Sequence, residues 1–314
     1  MNLNDRAAAL CDRILADADR LRTRSQTLDG GTTLIDCGIN AAGGLAAGVM
    51  LARVCLADLA EVTIAPEGPL PRPTVQVSTD HPKLACMASQ YAGWEVKGEK
   101  YFAMGSGPMR SSAAREPLFE DLNFKEQPER AVGILETGQF PDDSVCQDIA
   151  QKCGLTADKL ILLLAPTKSL AGNVQVVARS VETALHKLHE LEFDLDCVEN
   201  GWGAAPLSPP AKDDLKSIGR TNDAILYGGH VVLHVRCEDE AITSIGPQTP
   251  SNASKDYGRP FGEILAGYEY DFYKVDPLLF SPALVTFVNL KSGKTFRYGT
   301  LNDEVLAESF GESS

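Results

Sequence analysis

The sequence predicts an α/β protein with α+β-like mixed sheets, divided into two domains, and three observations carry that expectation. At 314 residues the chain exceeds what one hydrophobic core usually supports. Hydrophobic residues at 44% and charged residues at 23% suit a packed globular interior. Apolar runs of strand length alternate with stretches of helical periodicity, the pattern of helices covering sheets. Residues 1–98, completed by 256–314, are expected to form the first domain, and 99–255 the second.

Taken in order, Ala7, Leu10, Ile14 and Leu21 recur at helical spacing, so 4–22 predicts an amphipathic helix that Asn4 or Asp5 could cap. Residues 32–38 read as a strand, and the small-residue segment 43–59 as close packing against a sheet. Four prolines and a glycine in 65–73 predict an irregular connection into a strand at 74–78. His81 follows that strand, and Pro82 can start a helix over 83–90. Residues 101–110 form a short apolar strand breaking into a glycine loop, whose open N–H groups suit a ligand or a simple turn equally. The loop lacks the GK[ST] of a phosphate loop and the GxSxG of a nucleophile elbow. Further strands are predicted at 131–136, 160–165 and 230–237, helices at 142–153 and 213–219, and a hairpin at 283–298 turning at 291–294.

A formal charge of −14, with no Lys/Arg block, disfavours nucleic acid and anionic membranes as partners. An anionic ligand would need a local basic pocket within a repelling field. Eight scattered cysteines with no CxxC spacing predict reduced, mostly buried thiols. The chain opens on a polar amphipathic segment without the regions of a secretory signal, and no run reaches the length of a membrane span, so a cytoplasmic protein is expected. His186 and His189 have HxxH spacing, but no HExxH accompanies them and Lys187 and Glu190 make this end read as solvated helix, so no metal is expected. His230 and His234 share one face of a predicted strand, which a half-buried strand explains equally.

Arg179 and Glu182 stand three apart in a predicted helix and would project from one face. A carboxylate beside a permanent cation can stay ionised and orient a water. Spacing alone favours a solvated surface pair worth roughly 0.2–0.5 kcal/mol. The segment before it, a buried strand and then the polar turn 166–173, raises the functional reading, because such a turn places loop amides and a first helical turn at a sheet edge.

Several motifs recur together: Thr79-Asp80-His81-Pro82, Ser89-Gln90-Tyr91-Ala92-Gly93-Trp94, the run from Ala103 to Arg110, Ala165-Pro166-Thr167, Ala178-Arg179-Ser180-Val181-Glu182-Thr183, Thr221-Asn222-Asp223, Lys255-Asp256-Tyr257-Gly258-Arg259-Pro260-Phe261, and Tyr270-Asp271-Phe272-Tyr273-Lys274-Val275-Asp276-Pro277. In order and spacing they resemble the methenyltetrahydromethanopterin cyclohydrolase family over nearly the whole chain. The resemblance implies a cytoplasmic enzyme of one-carbon metabolism that reversibly hydrolyses 5,10-methenyltetrahydromethanopterin to the 5-formyl form without metal or redox cofactor. The same step serves formaldehyde oxidation and methanogenic reduction. It also implies a two-domain subunit with the pterin pocket between the domains, in a homotrimer.

On this resemblance Glu182 is the expected base and Arg179 its partner. Substrate contacts are expected from Asp80, His81, Ser106, Gly107, Arg110, Thr167, Asn222, Asp223, Lys255 and Tyr257. At Tyr91, where some members of the family carry lysine, this chain has an aromatic residue. Two other readings compete: a serine hydrolase using Ser106 with His81 and Asp80, and a non-catalytic pterin-binding protein of the same descent.

Overall fold

A computed structural model describes residues 1–271 and 274–312, which leaves Phe272 and Tyr273 of the last motif outside the described residues. In chain order the first elements are α1 (Leu3–Ala16), α2 (Ala18–Leu21), β1 (Arg24–Thr27), β2 (Thr33–Asp36), α3 (Leu45–Cys55), β3 (Glu61–Ala65) and β4 (Thr74–Thr79). A π-helical segment, Lys83–Gln90, leads to β5 (Trp94–Lys97), β6 (Phe102–Ser106), α4 (Met109–Ala113), α5 (Leu118–Leu122), β7 (Ala131–Glu136), α6 (Asp143–Lys152) and β8 (Leu160–Ala165). Next come α7 (Leu170–Val177), α8 (Ser180–Glu190), β9 (Val198–Pro206), α9 (Asp214–Leu226) and β10 (His230–Val235). The chain closes with α10 (Asp239–Ile245), α11 (Phe261–Gly267), β11 (Leu284–Asn289), β12 (Thr295–Gly299) and α12 (Asp303–Phe310).

The first compact unit comprises Met1–Ala60 and Leu84–Gln175. Its sheet, among the described residues, has six strands in the order β1-β2-β8-β7-β6-β5, with β2, β8 and β7 mutually parallel and the outer pairs antiparallel. β8 is buried along its whole length, as a central strand covered on both faces must be. Alternation then divides it: Ile161, Leu163 and Ala165 pack with α1 and α3, while Leu160, Leu162 and Leu164 pack with α6 and Met109.

Asn2, not Asn4 or Asp5, caps α1, accepting from the Asp5 N–H at 3.1 Å. Asn4 is instead buried and joins α1 to the sheet, donating to the Pro108 carbonyl at 2.9 Å and accepting from the Val132 N–H at 2.9 Å. The helix expected over 4–22 breaks at Asp17. At the end of β2, Asp36 accepts from the main-chain N–H groups of Gly38 and Ile39 through Oδ1 at 2.9 and 2.7 Å, and of Asn40 and Ala41 through Oδ2 at 2.8 and 2.7 Å. The loop leaving the parallel strands is thereby wrapped around one carboxylate.

The second unit comprises Glu61–Lys83 and Val176–Ser314. Its sheet, among the described residues, has six strands in the order β12-β11-β10-β9-β4-β3, with only β10 and β11 parallel. The expected boundaries at 98/99 and 255/256 are therefore corrected. The C-terminal hairpin completes the second unit's sheet, because β11 pairs with β10, and β3 and β4 join that same sheet through β9. Helix α9 also runs on past Gly219 to Leu226, so Asn222 and Asp223 lie within a helix and not after one.

Six of the eight cysteines are buried and Cys197 and Cys237 are half-buried. Burial pushes the Cys37 and Cys153 thiols up to about 12, which removes thiolate at neutral pH. Among the described residues, no helix is long and apolar enough to cross a membrane.

Candidate active site

In the second unit, β9 presents Gly201 and Gly203 to α8. A Cβ on Gly203 would lie 2.4 Å from Ser180 Oγ, and one on Gly201 would lie 2.9 Å from a Val181 methyl. The first turn of α8 thus rests on bare strand backbone, which only glycine allows. Arg179 is not inside that helix, as its spacing suggested, but at the N-cap between α7 and α8, with φ −88° and ψ 8°. Glu182 follows in the first turn, and Thr183 Oγ1 returns a hydrogen bond to the Arg179 carbonyl at 2.9 Å.

Both Arg179 and Glu182 are only 6% exposed, so the solvated-pair reading fails. Glu182 stands in the first turn of the helix, where main-chain N–H groups without a partner inside the helix attract negative charge. A guanidinium three residues away adds a permanent positive charge to the same region. The arrangement suits a base that must hold a negative charge with little water around it.

Asp80 and His81 are exposed just beyond β4, where the His81 N–H donates to Thr79 Oγ1 at 3.0 Å. Lys255 is exposed and Tyr257 half-buried, its ring 5.0 Å from that of Tyr227. Asn222 is half-buried on α9 and spends its amide on the Ile218 carbonyl at 2.8 Å. Asp223 is fully buried, accepting from the Phe261 N–H at 2.8 Å and the Ser309 hydroxyl at 2.6 Å. Burial pushes its carboxyl up to about 7, against those two hydrogen bonds. Asp223 therefore ties α9 to α11 and α12 and offers no surface to a ligand, contrary to expectation.

In the first unit, Thr167 lies in the turn after β8, at the carboxyl end of the parallel strands. That edge is where α/β sheets bind ligands. Ser169 shapes the turn, donating to the Pro166 carbonyl at 2.8 Å and accepting from the Gly172 N–H at 3.0 Å.

Thr167 is only 5% exposed, and the other three residues expected here to touch substrate are buried as well. Ser106 is fully buried with its hydroxyl 3.4 Å from Cys55 Sγ, which removes the accessible nucleophile a serine hydrolase needs. Gly107, at φ +88°, gives its N–H to the Ser89 carbonyl at 2.9 Å. Arg110 is fully buried: Nε reaches Glu116 Oε1 at 2.9 Å, Nη2 meets the other carboxylate oxygen, and Nη1 donates to the Met87 carbonyl at 2.9 Å. Its guanidinium also lies 4.9 Å from the Tyr91 ring centre. Arg110 is a structural anchor, and Tyr91 serves as its stacking partner.

Among the described residues, no cluster of three or more His, Cys, Asp or Glu is gathered as a metal would require, and His186 pairs with Glu190 at 3.7 Å. Lys187, read as solvated, is fully buried on α8.

The family model described as Cyclohydrolase (MCH) matches residues 2–310. The chain is 50% identical over 288 residues to a methenyltetrahydromethanopterin cyclohydrolase of Rhodopirellula baltica, covering 90% of this chain and 86% of the relative. It is 44% identical to the protein of that name from Methylobacillus flagellatus, over 100% of this chain and 96% of the relative. To that of Methanococcoides burtonii it is 40% identical, over 99% and 98%. With the family model matching residues 2–310 and relatives of that name 40–50% identical over 90% or more of the chain, the chain belongs to the methenyltetrahydromethanopterin cyclohydrolase family.

Proposed function

We propose that this protein reversibly hydrolyses 5,10-methenyltetrahydromethanopterin to 5-formyltetrahydromethanopterin, using Glu182 as general base and no metal or redox cofactor. The observation that carries the reading is the burial of both Arg179 and Glu182, each 6% exposed, at the start of α8. The methenyl carbon belongs to a cationic amidinium-like bridge and is already electrophilic. Such a centre needs a placed water and a base more than a Lewis acid or a covalent nucleophile.

Glu182 takes a proton from water as the oxygen bonds to the methenyl carbon, giving a neutral carbinol between the two nitrogens. The bond to the arylamine nitrogen then breaks and that nitrogen receives the proton from Glu182. The carbinol O–H proton leaves to solvent as the formyl C=O forms, so cation and water become neutral product and one proton. Arg179 keeps Glu182 ionised and steadies negative charge developing on the oxygen. Asp80, His81, Thr167, Asn222, Lys255 and Tyr257 hold the substrate, with neutral donors for the pterin edge and cations for the acidic tail.

The wider reading is a cytoplasmic homotrimer acting in formaldehyde oxidation, which a deletion strain's sensitivity to formaldehyde would test. The central test is the decay of methenyl absorbance on adding enzyme, run in parallel with methenyltetrahydrofolate to fix the pterin class. Glu182→Gln, folded as wild type, is expected to lose about 10²- to 10⁴-fold in kcat. A Gln variant with near-normal turnover would remove the base assignment. Tight pterin binding without any decay in the wild type would instead select the non-catalytic reading.

A further inference from the structure

Helix α8 carries a second buried charge that the hydrolytic scheme does not use. Lys187 lies five residues beyond Glu182 with its side chain fully buried, and Nζ donates to the main-chain carbonyl of Leu278. An ammonium out of water is costly unless its donors are used, and a methionine of similar length would fill the space without that cost. What Lys187 does with its donor is therefore the question.

Leu278 belongs to the short turn Pro277–Leu279, which Asp276 caps, its Oδ1 accepting from the Leu278 N–H at 3.1 Å. The other oxygen, Oδ2, accepts from Ser254 Oγ at 2.7 Å and from the Lys255 N–H at 3.2 Å. The Asp276 N–H donates to Asp256 Oδ2 at 3.0 Å, and that carboxylate also receives the Tyr268 hydroxyl. On its far side the loop is held by Tyr227, whose hydroxyl donates to the Arg259 carbonyl at 2.5 Å and accepts from the Gly258 N–H at 3.2 Å. Hydrogen bonds therefore lead from α8, through Leu278 and Asp276, to the Ser254 hydroxyl, the Lys255 N–H and the Asp256 carboxylate, next to Tyr257.

We infer that Lys187 is a positioning residue: through the Leu278 carbonyl and Asp276 it fixes the Lys255–Gly258 loop relative to the helix bearing Arg179 and Glu182. This rests on the reading above, in which Lys255 and Tyr257 hold substrate and Glu182 attacks through water. Two carboxylates act on the ammonium, Asp276 from the turn and Glu190 from its own helix. They oppose the larger effect of burial, which brings Lys187 down to about 8. Below that pH the group is a charged donor to Leu278, and above it the contact weakens, so substrate binding loosens as pH rises through this value.

Lys187→Met and Lys187→Arg test the inference, with KM, kcat and thermal midpoint followed from pH 7 upward after subtraction of the uncatalysed rate. The methionine variant is expected to raise KM about tenfold or more while kcat changes much less. Lys187→Arg, a donor that does not titrate, is expected to keep KM level across the pH range where the wild-type KM climbs. An unchanged KM in Lys187→Met overturns the inference, as does a loss of activity that only follows the loss of folded protein. Should the methionine variant not fold, an arginine variant whose KM climbs with pH as the wild type's does overturns it equally. The base assignment fails separately, through kcat of Glu182→Gln, and that result leaves the KM of the Lys187 variants interpretable.

Discussion

At the scale of single residues, side-chain chemistry was legible in the sequence but its placement was not. Arg179 and Glu182 stood out because they sit in a motif; Lys187 did not, because a lysine between histidines on a helix normally faces water. Arg110 and Asp223 carried motif signals too, yet the folded chain spends their polar atoms on its own main chain and side chains. Asp223 gives a prediction about pH. Its folded carboxyl titrates near 7, against an ordinary value of 3.8, so between those limits the folded state holds a proton that the unfolded chain has released. Stability conferred by this residue is therefore present below pH 3.8 and falls as pH rises towards 7, levelling above it, with a total on the order of a few kcal/mol. Asp223→Asn, whose amide keeps an acceptor for Phe261, is expected to remove that slope. Urea midpoints of the two proteins at pH 5 and pH 8 check it, the wild type losing more than the variant.

At the scale of elements, strands buried on both faces were the easiest to read, since 131–135 and 160–165 carry no polar side chain and their strands end with that run or one residue past it, at Glu136. Elements whose limits depend on neighbours were read poorly. The polar run Arg220-Thr221-Asn222-Asp223 reads as the end of α9, yet the helix continues through it to bury Ala224, Ile225 and Leu226, and α11 and α12 hold its Asp223. The segment 83–90 was expected to be an ordinary helix, yet it is wound with the wider spacing seen in the Tyr91 N–H bond to the Cys86 carbonyl at 2.8 Å. The seat of α8 on β9 carries the element-scale prediction. Gly203→Ala places a methyl where Ser180 Oγ already lies at 2.4 Å, and neither the strand backbone nor the first helical turn can yield cheaply. A loss of about 1–3 kcal/mol in unfolding free energy is expected, with kcat reduced because Arg179 and Glu182 move with the helix. Chemical denaturation and steady-state rates measure both, and a variant stable and active as wild type would refute the seating argument.

At the scale of the whole molecule, the formal charge of −14 should act on the substrate's approach. An anionic pterin tail meets a repelling field that salt screens, so kcat/KM is expected to rise with ionic strength between about 0.02 and 0.2 M, by less than about tenfold. A flat or falling profile would mean that local cations dominate the encounter. The domain limits were the least legible feature, because sheet membership is settled by pairings remote in sequence, such as β4 with β9 and β10 with β11. That interleaving bears on how the protein is made. The β3–β4 hairpin leaves the ribosome ahead of most of the first unit, while its partner strand β9 is synthesised only after that unit is complete. For that interval a two-stranded ribbon with both edges unpaired must wait on the nascent chain, exposed to mispairing. The shortness of β3, with Glu61 and Thr63 exposed on it, and the proline-rich connection between β3 and β4 are features that make such a ribbon a poor template for other strands.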